Sequence, residues 1–159
     1  KNLMSKKKHY ILEEVDEEDY KIIAIHAYCE DYRMAYLINA NCNSKFLKSK
    51  QKISASQPEG DFQVFEWNDR IKGIECYLFS NRSLIFQNDN QNDTSLFNLP
   101  ETKELYLVQD LKEADYILKI NSGIDAASLA KKLEIINEVS YCYLPDQSKI
   151  NLDLCLNFD

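Results

Sequence analysis

The sequence predicts an α+β domain: a mainly antiparallel sheet with two principal helices on one face. Three observations carry that prediction. Short apolar segments such as "YKIIAI", "FQVFEW" and "IECYLF" have the length and composition of strands. Two longer segments, "CEDYRMAYLINAN" and "AASLAKKLEIINEV", repeat their apolar residues at helical spacing instead. The strands come in runs punctuated by those helices rather than alternating strictly with them, which is the order of an α+β domain.

Taken from the N-terminus, residues 1–8 read as a frayed end, and 9–15 and 20–27 as two strands joined by the acidic turn "DEED". In the second strand Tyr20, Ile22, Ala24 and His26 fall on one side and Ile23, Ile25 and Ala27 on the other. A strand apolar on both faces belongs inside a sheet. A helix over about 29 to 41 follows, with Tyr28, Tyr32, Ala35, Tyr36 and Asn39 in one stripe. Glu30 and Asp31 occupy its first turn, where the helix dipole favours anions, and "NANCNSK" ends it with turn-forming residues.

Strands are expected at 45–49, 62–67 and 74–80, the last two as a hairpin through "NDRIKG", and a mobile polar loop at 86–98. "ELYLVQ" and "DYILKI" read as further strands. Asp125 can cap the second helix while Ile124 reaches Leu129 as a hydrophobic staple, and Leu129, Leu133 and Ile136 mark the buried face. "VSYCYL" follows almost at once, which makes a strand-helix-strand unit with a right-handed crossover if its strands share a sheet. Pro145 stops that strand, and "INLDLCLNF" is a tail strand or a docked segment. In rhythm, "LAKKLEIINEVSYCYL" is similar to the second half of a ferredoxin-like fold and to small ligand-sensing domains of the ACT type.

At 159 residues the chain suits one domain, 1–159. Nineteen basic against 26 acidic residues leave a formal charge of −7, which repels polyphosphates, so no nucleic-acid partner is expected. The one basic cluster, "SKKKH", reads as a solvated end. The first thirty residues lack the apolar h-region of a secretory signal, and no apolar run approaches the roughly 20 residues that span a bilayer, so the expectation is a cytoplasmic protein without membrane contact. Cys29, Cys42, Cys76, Cys142 and Cys155 form no C-x-x-C pair and read as reduced, small apolar residues in or near the core.

Two stretches go beyond rhythm. "IAIHAYCEDYRMAYLIN" and "LYLVQDLKEADYILKI" resemble the bacterial IPExxxVDY proteins, a family named for its sequence signature. Here the signature region reads "VQDLKEADY": Asp115 and Tyr116 match, Asp110 is a conservative change from Glu, and Gln109 and Ala114 depart from Pro and Val. Glu30, Asp31, Tyr32, Ala35, Tyr36, Leu37 and Asn39 look like the family's other recognisable block. The resemblance implies relatives of similar size in Bacteroidetes-type bacteria and carries no assigned activity.

The densest chemistry lies in "HAYCEDYR", residues 26–33. A catalytic reading makes Cys29 a thiolate at a helix start with His26 as base, but Glu30 and Asp31 oppose thiolate formation, and Arg33 has Glu30 as a competing partner. A metal reading joins His26, Cys29 and Cys42, which is too few ligands at no structural zinc spacing. Asp110, Glu113 and Asp115 could serve acid–base chemistry, yet turn geometry and solubility explain them as well. No phosphate-binding glycine loop and no hydrolase signature is present. Tyr28, Tyr32 and Tyr36 read first as core packing and second as a partner surface.

These readings predict a non-catalytic binding or protein-interaction module, with a homodimer or another protein as partner, no cofactor and no metal. The alternative is a sensor or enzyme for a small anionic or zwitterionic molecule near His26, Asp31, Arg33 and Tyr36. A third reading is an adaptor whose acidic surface meets a basic protein. The candidate binding residues are His26, Asp31, Tyr32, Arg33, Tyr36, Asp115 and Tyr116.

Overall fold

The structure, a computed structural model, describes residues 20–50, 62–87 and 101–150. The expected strand at 9–15, the frayed end at 1–8, the tail after 150 and all but the start of the polar loop at 86–98 lie outside the described residues. Among the described residues six strands form the main sheet: β1 (Lys21–Ala27), β2 (Leu47–Lys48), β3 (Val64–Asp69), β4 (Ile74–Ser80), β7 (Tyr116–Ser122) and β8 (Val139–Tyr143). Two more, β5 (Arg82–Gln87) and β6 (Glu101–Tyr106), pair as a separate ribbon. The α-helices among the described residues are α1 (Asp31–Cys42) and α2 (Ala126–Leu133).

The main sheet has the order β2-β3-β4-β7-β1-β8, with every neighbouring pair antiparallel. β1 is thus an interior strand, as its two apolar faces require. Both its hydrogen-bonding edges are taken, by β7 and β8. β7 and β8 share the sheet, and because both run antiparallel to β1 they are parallel to each other with β1 between them.

Period-two alternation sorts the core into two layers. On one face Ile23, Ile25, Leu78, Leu118 and Ile120 meet Met34 and Ile38 of α1 and Leu129 and Leu133 of α2. On the other, Ile22, Ala24, Val64, Phe79 and Ile117 are covered by Leu107, Val108, Leu111 and Ala114, which lie between β6 and β7. The expected strand "ELYLVQ" therefore ends early. β6 stops at Tyr106, and the chain turns through a short 3-10 turn, Gln109–Leu111, laying apolar side chains over the sheet.

Local chemistry sets the element ends. The Asp125 side chain accepts the Ser128 amide at 3.0 Å, which is the predicted cap of α2, and Ile124 packs on the same cluster as Leu129. Asn43 ends α1 in the left-handed conformation at φ 52°. In the β3–β4 hairpin the Asp69 carboxylate accepts the amides of Ile71 and Lys72, and Gly73 turns with φ 67°. Gly123 sits against that turn: a Cβ there would lie 2.5 Å from the Gly73 carbonyl oxygen, so only glycine fits. No helix among the described residues is long and apolar enough to cross a membrane.

Candidate functional site

The end of β1 is irregular. Its register against β8 shifts between His26 and Ala27, a bulge that re-aims the chain toward α1. The Ala27 amide is bonded by Asp115 Oδ2 at 2.9 Å, and the Tyr28 amide by the Glu138 carbonyl at 3.0 Å. Asp115 turns its other oxygen to Arg82 Nη2 at 2.9 Å, and its own amide bonds the Ile25 carbonyl. One carboxylate thus ties together the end of β1, the start of β5 and the start of β7. The Tyr116 hydroxyl donates to the Cys29 carbonyl and holds the same bend from its next turn.

Around this junction lies a cleft of about 750 Å³, lined by residues 26–31, 113, 115 and 116, by Gln63, Ser80 and residues 82–84, and by Ser140. Its size is in the range of about 300–1,000 Å³ common to ligand sites. Of the predicted residues, His26, Asp31, Asp115 and Tyr116 line it, while Tyr32, Arg33 and Tyr36 do not. Arg33 points instead to Glu138, at 3.1 Å, so its expected competition with Glu30 is replaced by a partner 105 residues away in sequence.

The groups that could do chemistry are restrained. Burial pushes the Cys29 thiol up from its ordinary value, the Glu138 charge adds to that, Arg33 opposes and Asp115 contributes least. The expected neutral thiol therefore has a different main cause, burial and Glu138 rather than Glu30 and Asp31. Its hydrogen is directed at Met34 Sδ, 3.7 Å away. His26 forms no hydrogen bond with Cys29 among the described residues. Its ring packs against Tyr141 at 4.7 Å and Tyr143 at 6.1 Å, leaving Nε2 buried and unpartnered. Burial also holds the Tyr116 phenol well above its ordinary range. Among the described residues no three His, Cys, Asp or Glu side chains converge as a metal-holding group.

The tyrosine row does not pack in the core. Tyr28 is 88% exposed, and Tyr32 and Tyr36 are each 65% exposed. α1 buries Met34, Ala35, Ile38 and Cys42, so of the expected stripe only Ala35 faces the sheet, and Met34 and Ile38 set the buried side. The Tyr32 hydroxyl bonds Glu30, which raises the phenol's proton affinity. The cleft lining offers acids, hydroxyls and an aromatic ring, and the Cys29 thiol beside them is held protonated above its ordinary range.

Two residues escaped the sequence reading. Arg82 completes the Asp115 pair, and Asn81, fully buried, donates to the carbonyls of Leu111 and Ala114 and accepts from the Val108 amide. Their only sequence signal is the abrupt polar break "SNRS" after the apolar run of β4. Comparison of the chain with family models, curated proteins and solved structures finds no match.

Proposed function

We propose that this chain is a non-catalytic binding module that grips a partner protein at the junction of β1 and α1. The observation that carries this reading is the exposure of Tyr28, Tyr32 and Tyr36 beside the cleft. Tyrosine offers a large apolar body with a polar tip at little entropic cost, which suits a contact surface. The restrained state of Cys29, Tyr116 and Asp115 supports binding over turnover. A cytoplasmic setting goes with this reading, supported by the free thiols of Cys29, Cys42, Cys76 and Cys142.

Kinship with the IPExxxVDY proteins belongs to the same proposal. Its support is that the two matching motif residues, Asp115 and Tyr116, tie the bend that shapes the cleft, while the helix block supplies Asp31 to its lining and Tyr32 and Tyr36 to the row beside it. We also read the C-terminal unit as ferredoxin-like or ACT-like, supported by β7 and β8 lying parallel on either side of β1.

A photo-crosslinking amino acid placed at position 28 in cells tests the reading, with position 71 as control, since Ile71 is 99% exposed on the β3–β4 turn. The expected result is a discrete protein adduct at 28 and none at 71. No adduct at 28, or equal adducts at both, would overturn the interaction module. A small ligand is the second reading, favoured by the cleft's volume of about 750 Å³. It would raise the melting temperature in a metabolite screen and give no protein adduct.

A further inference from the structure

We propose that the cleft and the tyrosine row form one docking surface for a basic segment of a partner protein, with an arginine or lysine side chain entering the cleft. The inference rests on the binding-module reading and names the partner's chemistry. Four carboxylates, Glu30, Asp31, Glu113 and Asp115, line the cleft against one guanidinium, Arg82. Arg82 is already engaged by Asp115 at 2.9 Å, Arg33 is turned to Glu138, and Lys112, next to Glu113 in sequence, forms no ion pair with it among the described residues. Among the described residues no ion pair neutralises Glu30, Asp31 or Glu113. The cleft therefore carries an uncompensated negative charge within a chain of formal charge −7.

That charge selects the occupant. An anionic ligand or a nucleic acid meets like charge, and a second copy docked symmetrically through this face sets the same acids against each other. A bare metal ion finds no group of three ligands among the described residues. A basic side chain instead gains three partly solvated carboxylates, and the exposed ring of Tyr28 at the cleft offers its face to the cation. Tyr32 and Tyr36, one helical turn apart on α1, are exposed as well, so residues flanking the cation have further aromatic area to cover. The size of the cleft, about 750 Å³, admits a whole arginine side chain with bridging water.

The test is fluorescence anisotropy with a labelled peptide of about ten residues alternating arginine and alanine, and a second peptide with glutamate in place of arginine. The arginine peptide is expected to bind, to weaken severalfold as salt rises from about 50 to about 300 mM, and the glutamate peptide not to bind. Tyr28→Ser and Glu113→Gln should each weaken binding about fivefold. Glu134→Gln, the same charge change at the exposed end of α2, should leave it unaltered. Unchanged melting temperatures establish that each variant is folded. Equal weakening by Glu134→Gln, or binding of both peptides alike, overturns the site. No binding of the arginine peptide while the position-28 adduct still forms overturns the basic partner and leaves the interaction module standing.

Discussion

Tyr116 donates its hydroxyl to the Cys29 carbonyl, and burial, followed by the charges of Cys29, Asp31 and Asp115, raises its phenol above the ordinary value of 10.0. In the unfolded chain that phenol loses its proton near pH 10, whereas in the folded chain it keeps it. The folded state then binds more protons, and stability falls as pH rises through and beyond 10. Below that pH the contribution is fully present. Tyr77 and Tyr143 are shifted in the same direction by burial, so they share the alkaline loss. Tyr116→Phe should cost about 1 kcal/mol at neutral pH, for one lost hydrogen bond, and should make the decline above pH 10 shallower. Urea unfolding across pH 8 to 11 measures both, and parallel declines for the two proteins would contradict the assignment. Little of this was legible in advance. Asp115 and Tyr116 stood out as motif residues, but their partners, Ala27, Arg82 and Cys29, lie 33 to 88 positions away and are joined only by the fold.

At the scale of elements, the segment from Leu107 to Ala114 is a lid over one face of the sheet with only a single 3-10 turn of its own. Asn81 supplies what regular structure does not. Its side chain makes bonds of 2.8, 2.9 and 2.8 Å to Leu111, Ala114 and Val108, and its backbone bonds Asp115 and Leu107. Asn81→Ala strands three buried backbone groups and should destabilise the protein by about 4 kcal/mol, read from denaturant midpoints. It should also raise hydrogen exchange across residues 107–115 well before the rest of the chain opens. A cost under about 1 kcal/mol would show that the lid is held otherwise.

The same elements show which patterns the sequence discloses. β1, β4 and both helices follow from apolar periodicity because burial dictates it on each face. "ELYLVQ" was misplaced because Leu107 and Val108 are buried in a turn, where apolar residues follow no period, and β5 was missed because its described side chains give no apolar face, Ser83 being buried while Leu84 is exposed. The tyrosine row has helical spacing that imitates a core stripe. Only the position of Met34 and Ile38 against the sheet decides which stripe is buried.

For the whole molecule, the sheet has one face under two helices and the other under the lid, and the junction of β1, α1, β5 and β7 gathers acids from each of these layers. The account's central claim is that this junction, and not the far hairpin or α2, is where a partner docks. Titrating the arginine-rich peptide into isotopically labelled protein and following amide chemical shifts locates the contact directly. The account predicts shifts concentrated at residues 26–36, 80–84 and 113–116. Shifts centred on α2 or on the turn around Ile71, with the junction unchanged, would contradict it.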